Sequence, residues 1–311
     1  MNGNRIRTWR QGRTACLLQL IPLIWLFFPQ GVYPASLESI TARAWDGYIE
    51  SATMRMKQRL IPGNTFLWVD EASERLARVR AGEVVVKPVG PHSPLRVPSG
   101  LIHDWIGAVF ISNTTLTDLL RTVRDYSRYK ELYRPSVIDS KAIATSESQD
   151  RFYLLLSDNS FLLKTALATD YESHYVRLGE QSGYGLARST RIQEIENYGT
   201  QGQCTLPEDQ GIGLVWRLFT ISRYAERDGG VYFELEAIGL SRDIPASLKW
   251  LIEPIVRRVS RESISTSLRE TENAVRFRAD LARGGSLTAR SISGASSPMD
   301  HTRLTRANQS H

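Results

Sequence analysis

Cysteine is nearly absent. Only Cys16 and Cys204 occur among 311 residues, so a disulfide framework is excluded as the basis of the fold. Cys204 lies in the polar loop Gly199–Pro207 with no histidine near it in sequence, and nothing there would lower its pKa enough to make a nucleophile. Histidine is scarce as well. Residues 92, 103, 174, 301 and 311 form no H-x-x-x-H or H-E-x-x-H pair, so no bound metal is expected. A G-x-S-x-G elbow is missing, and the pairs Gly183/Gly185 and Gly211/Gly213 lack both the third glycine and the strand-to-helix setting of a dinucleotide loop. No cofactor is therefore expected. The chain carries no internal repeat.

What is present is an ordinary globular composition, 41% hydrophobic and 23% charged, enough for a sizeable core. The formal charge is +6 and the pI about 9.4, yet much of the excess is terminal, at Arg5, Arg7, Arg10, Arg13, Arg303 and Arg306. No basic helix or aromatic RNA-binding signature accompanies it, so nucleic acid is not an expected partner. Arg5–Arg13 is a positive flank to the apolar run Ala15–Phe28. That run is too short for a span of about 20 residues and suits a secretory h-region of about 7–15. Residues 1–35 read as a signal peptide with cleavage after Ala35, which predicts an exported protein, periplasmic or extracellular, or a membrane-anchored one if the signal stays uncleaved.

Residues 36–98 read as an N-terminal extension that packs on the main domain. Ser36–Leu60 is helical, with Ile40, Ala44, Tyr48 and Ala52 on one face and Ser36 or Ser39 as cap. Phe66–Val69 reads as a short strand, Glu71–Arg80 as a helix and Glu83–Pro88 as another strand. Pro88, Pro91, Pro94 and Pro98 mark a linker. The main domain, residues 99–275, opens with the strand Gly100–Ile111. A helix over Leu116–Tyr126 and a short one within Arg128–Pro135 come next. A meander follows: Val137–Thr145, Arg151–Leu156, Phe161–Leu178, Gly183–Tyr198, and a hairpin whose turn is Arg227–Gly230. A helix from Ile244 to about Ala274 closes it, with Leu248, Ile252, Ile255, Val259 and Ile264 as an apolar stripe and a kink expected at Pro254. Residues 276–311 read as a disordered tail.

Strands bounded by helices without strand–helix alternation indicate an α+β fold. The order of elements, with Asp125–Tyr129 in the small helices, Gly230–Pro245 in the last strand and Trp250–Pro254 opening the closing helix, resembles the START-like superfamily (SRPBCC), and in particular secreted bacterial members. The resemblance implies a helix-grip fold: a curved antiparallel sheet wrapped around a long C-terminal helix, with an apolar cavity between them. It also implies an apolar small molecule as partner, such as a lipid, polyprenyl or quinone-like compound, with peripheral membrane contact as a further expectation.

Alternation along the strands supplies an interior face. Phe161, Leu163 and Leu167 share one face, Trp216, Leu218 and Tyr224 another, and Val231, Phe233 and Leu235 a third. Phe161, Leu163, Leu167, Trp216, Leu218, Phe233 and Leu235 are the ligand-cavity candidates. No catalytic residue is assigned. Glu234 and Glu236 share a strand face with Arg217 and Arg223 across from them, which fits either general acid–base work in a cyclase/aromatase-type enzyme or cross-strand ion pairing on a wet face. A third alternative is an envelope interaction module with a filled core. His103, beside Asp104, reads as a surface or satisfied histidine.

Overall fold

A computed structural model describes residues 35–91, 93–158, 165–213, 215–244 and 249–293. The leader expected up to Pro34, the candidates Phe161 and Leu163, the start of the closing helix at Pro245–Leu248 and residues 294–311 lie outside the described residues.

Helix α1 (Ser39–Gln58), a 3-10 turn (Trp68–Glu71) and helix α2 (Ser73–Arg80) precede strands β1 (Val85–Pro88) and β2 (Leu95–Val97). Then come β3 (Gly100–Ser112), α3 (Leu116–Val123), α4 (Tyr129–Leu132), β4 (Val137–Thr145), β5 (Gln149–Asp158), β6 (Thr165–Arg177), β7 (Ser182–Glu196), β8 (Arg217–Arg227), β9 (Gly230–Arg242) and α5 (Lys249–Ser293). The sheet runs β1-β3-β9-β8-β7-β6-β5-β4, antiparallel at each pairing, with β2 also on β3. From β3 to α5 this is the expected helix-grip order.

Local chemistry explains the boundaries. The β8–β9 turn places Asp228 and Gly229 at φ 57° and 78°, the left-handed pair that a two-residue hairpin requires. Thr115 caps α3 through a capping box with Asp118. Almost every residue of β3 is buried, because the strand is covered on both faces, and this is why its sequence is continuously apolar instead of alternating.

On the convex face lies the N-terminal layer. Trp45, Ala52 and Met56 of α1 pack with Ile102, Ile221, Ile238 and Leu240. The buried stripe is Thr41, Trp45, Ala52 and Met56. It is shifted from the expected one, and Ile40 is 45% exposed, since the large Trp45 ring takes the inward position. Glu38, without a side-chain cap bond, precedes the helix in place of a serine cap. Phe66–Val69 forms no strand. Its backbone turns at Trp68–Glu71 and the N–H groups of Trp68 and Val69 go to the Glu234 carboxylate, with no neighbouring strand to pair with. The proline-rich segment is not a linker either, because β1 and β2 flank it and both pair with β3. The sheet thus crosses the expected boundary at Ser99.

Helix α5 runs through Pro254 and on to Ser293, well past the position where a disordered tail was expected. Val275 is buried in the main core, and Arg276–Glu272 and Arg278–Asp125 ion pairs hold the helix beyond it.

The grip is tightest at Gly107. A Cβ there would sit 2.6 Å from Leu268 Cδ1, 2.9 Å from Val86 Cγ2 and 3.1 Å from Ile264 Cγ2. Gly107→Val should therefore destabilise the protein by about 1–3 kcal/mol through overpacking, read as a lower urea midpoint.

Candidate ligand cleft

Leu101, His103, Trp105, Gly107 and Val109 form the concave row of β3, opposite Ser241, Gly239, Ala237, Leu235 and Phe233 of β9. Helix α5 follows that row in reverse. Ile264 and Leu268 stand over Gly107, Arg258, Arg261 and Ser265 stand beside Trp105, and Glu253 and Arg257 stand at Leu101. Only the second half of this path is closed. Ile264, Leu268, Thr271, Ala274 and Val275 are buried. From Glu253 to Ser263 no residue is buried, and Ile255 is 45% exposed.

The floor beneath that free half is built of small groups. A Cβ at Gly239 would meet only Leu218 Cδ2, at 3.6 Å, whereas one at Gly107 would collide with the helix. Leu218, Thr220 and Ala237 around it are half-buried. Two open clefts lie along this stretch of the helix. One of about 390 Å³ is lined by Pro94, Leu95, Arg96, Leu101, Ile244, Glu253 and Arg257. The other, about 520 Å³, is lined by Trp105, Arg257, Arg258, Arg261, Glu262 and Ser265. Arg257 lines both, so they adjoin. Each volume is within the roughly 300–1,000 Å³ of small-molecule sites.

Two polar atoms of the floor lack partners among the described residues. The Trp105 ring is 7% exposed and its Nε1 is unpartnered, as is Nδ1 of His103. Each such orphan costs about 1–3 kcal/mol. His103 is half-buried, with Nε2 2.8 Å from Ser241 Oγ, and burial pulls its pKa down to about 4. It is thus neither a surface histidine nor a fully satisfied one. At the rim Arg96 pairs with Asp243, Arg257 with Glu253 and Arg258 with Glu262.

The sequence candidates do not converge. Leu218 flanks Gly239, and Leu235 packs at the margin of the core. Phe233 is buried in that core with Val109 and Leu268, and Leu167 is buried between Leu156 and Glu194 on β6. Trp216 packs on the convex side with Trp45 and Phe219, because it precedes the first ladder residue, Arg217, and strand alternation does not govern it.

Glu234 and Glu236 also face the convex side, under the N-terminal layer and away from the cleft. They are ion-paired as one reading expected, but the face is dry. Arg223, 1% exposed, donates from Nε to Glu234 at 2.9 Å and from both Nη atoms to Glu236 at 3.1 Å. Glu234 accepts from Trp68 and Val69 N–H at 3.0 and 2.8 Å. Arg55 of α1 reaches Glu236 at 3.5 Å and Asp104 at 3.2 Å, and Tyr48 donates to Asp104 at 2.8 Å. Burial, then the charge of Glu236, pushes the Asp104 carboxyl up to about 7. The cyclase/aromatase alternative thereby loses its two carboxylates, since neither reaches the cleft.

At the far end of the sheet Tyr126 stacks on Phe152 at 3.9 Å, and its hydroxyl joins Asp150, Ser173 and Tyr175. This polar group is closed by its own hydrogen bonds and the Arg124–Asp150 ion pair. Among the described residues no group of histidine, cysteine and carboxylates could hold a metal, and no helix is long and apolar enough to cross a membrane.

No family model matches this sequence, and no curated protein does. Solved structures similar to it include a fragment of a STAR-related lipid transfer protein from Xanthomonas axonopodis, 18% identical, covering 60% of this chain and 93% of that one with a TM-score of 0.38. Human STARD10 is 9% identical over 68% of this chain and 83% of its own, with a TM-score of 0.38. The Zhui aromatase/cyclase from Streptomyces sp. R1128 is 8% identical over 57% and 96%, with a TM-score of 0.35. Likeness of this depth transfers neither a ligand nor an activity.

Asp104 and His103 titrate in opposite senses. A carboxyl raised from 3.8 to about 7 stabilises the fold fully below pH 3.8 and loses that contribution as pH rises through 7. A histidine lowered from 6.5 to about 4 contributes fully above pH 6.5 and loses it as pH falls through 4. Asp104→Asn removes only the first. Relative to the wild type, this variant should gain stability steadily between about pH 4 and 7 in urea titrations. A constant difference across that range would contradict the assignment.

Proposed function

We propose that this chain is an exported binding protein that carries an apolar small molecule, lipid-like in character, between its sheet and the free half of α5. The observation that carries the reading is the contrast between two glycines on one concave surface: a Cβ at Gly107 would collide with the helix, whereas one at Gly239 would meet only Leu218 Cδ2, at 3.6 Å. Binding would come from desolvation of the ligand, at about 25 cal/mol per Å² of apolar area removed from water. The stretch of α5 from Glu253 to Ser263, where no residue is buried, is suited to move aside as the ligand enters. Peripheral membrane contact fits the same reading, since a carrier of this kind exchanges its cargo at a lipid surface.

Gly239→Phe tests it. The new ring would occupy the floor without striking the core, so the urea midpoint should stay near the wild-type value. Affinity for the neutral apolar dye N-phenyl-1-naphthylamine should fall by about tenfold or more. Equal affinity in both proteins, or none in the wild type, would refute the reading.

Export rests on the Arg-flanked apolar run and the small residue Ala35. N-terminal sequencing of protein recovered from outside the cytoplasm should begin at Ser36. Recovery only from the cytoplasm, with residues 1–35 intact, would contradict it.

A further inference from the structure

Helix α5 outruns the sheet that it packs on. Arg276 Nη2 lies 3.5 Å from Oγ of Ser112, the last residue of β3, and the helix continues to Ser293. Ala274 and Val275 are the last of its described residues to be buried. Just beyond them Phe277 and Leu281 are 52% and 55% exposed. They are one turn apart and share one side of the helix. Two adjacent large apolar side chains in water mark a surface that an apolar partner covers.

Beside that apolar row is a basic one. Arg269, Arg276, Arg283 and Arg290 recur every seven residues, which places them along a single line of the helix, about 100° round the axis from Phe277. Arg269 is exposed and forms no ion pair among the described residues, and Arg276 is met by Glu272 of its own helix at 2.8 Å. The wider charge distribution has the same sense. Residues 276–311 contain six arginines, two aspartates and no lysine or glutamate, a formal +4, whereas residues 35–275 sum to −2. The chain therefore concentrates its positive charge on the segment that carries the uncovered apolar pair.

We infer that the second half of α5, from Arg269 onward, docks on an anionic lipid surface, with Phe277 and Leu281 entering the apolar boundary and the arginine row lying at the headgroup phosphates. A helix with a basic row next to an apolar one lies in such an interface. A nucleic acid would engage the arginines and leave Phe277 and Leu281 in water. A second copy of the helix would have to meet along Phe277, Leu281, Gly284, Thr288 and Ser291, and the last three offer a coiled-coil seam almost nothing to bury. The inference gives the proposed peripheral membrane contact a surface and rests on that part of the reading alone. It does not require the cleft to be filled.

The test is flotation of the processed chain, which begins at Ser36, with vesicles of phosphatidylcholine alone or with an equal part of phosphatidylglycerol. The mixed vesicles should bind it at least about tenfold more tightly, and about 0.5 M salt should remove most of that advantage. Phe277→Ser combined with Leu281→Ser alters only exposed positions, so the urea midpoint should hold while affinity for the mixed vesicles falls about tenfold. Arg269→Gln combined with Arg283→Gln should lower affinity for the mixed vesicles by a similar factor and leave pure phosphatidylcholine unaffected. Absence of flotation, or equal flotation of the wild type and the double serine variant, would overturn the inference. So would a dimer in sedimentation that the serine substitutions abolish, or binding of single-stranded RNA in place of vesicles. Affinity for N-phenyl-1-naphthylamine reads the cleft separately, and the double serine variant should match the wild type there. A wild type that floats with the mixed vesicles and binds no dye would remove the cargo and uphold the surface.

Discussion

A guanidinium sealed between two carboxylates sets the terms for the rest of the molecule. Arg223, Glu234 and Glu236 sit on the convex side of the sheet, where ions are tolerated only with every lone pair and proton engaged. The engaging groups come from elsewhere in the chain: two backbone N–H groups from the Trp68–Glu71 turn and the Arg55 side chain from α1. Without that layer Glu234 would lose two donors and Ile238, Leu240 and Tyr232 would lose their cover. The helix-grip portion is thus not self-sufficient here. Its sheet is a middle layer, with one side committed to charge pairing and burial and the other facing α5.

That division explains where the room is. From Glu253 onward, the described side chains of α5 pack closely on the concave side beginning at Ile264, where Gly107 lets helix and strand approach. Toward the start of the helix the row of β3 brings forward His103 and Trp105, large side chains with polar nitrogens, while β9 opposite them supplies Gly239 and Ala237. Large groups facing small ones across a ladder leave a trough, and residues 253–263 of the helix contribute no buried residue to it.

Much of the architecture was legible because it is written in local rules. The Asp228–Gly229 turn, the succession of strands along the chain and the closing helix follow from turn chemistry and periodicity. Trp216 was misplaced because alternation was extended one residue beyond the ladder. One of the two readings of Glu234 and Glu236 puts them in water, because a strand showing glutamate at alternate positions ordinarily has a solvated face. What covers that face is more than 160 residues distant in the chain, and no window of sequence around β9 contains it. One hint was present: Tyr48 and Arg55 lie two helical turns apart on α1, so a polar patch interrupts an otherwise apolar stripe. The cleft was less legible still. It depends on which half of α5 touches the sheet, and both halves carry isoleucine and valine at helical spacing.

The contrast between Gly107 and Gly239 has an evolutionary corollary. The residue at 107 sets the seam between strand and helix, and the residue at 239 sets the depth of the trough. A larger side chain at 239 would make the trough shallower without disturbing the seam. Selection can therefore reshape the trough and leave the thermodynamic integrity of the scaffold untouched.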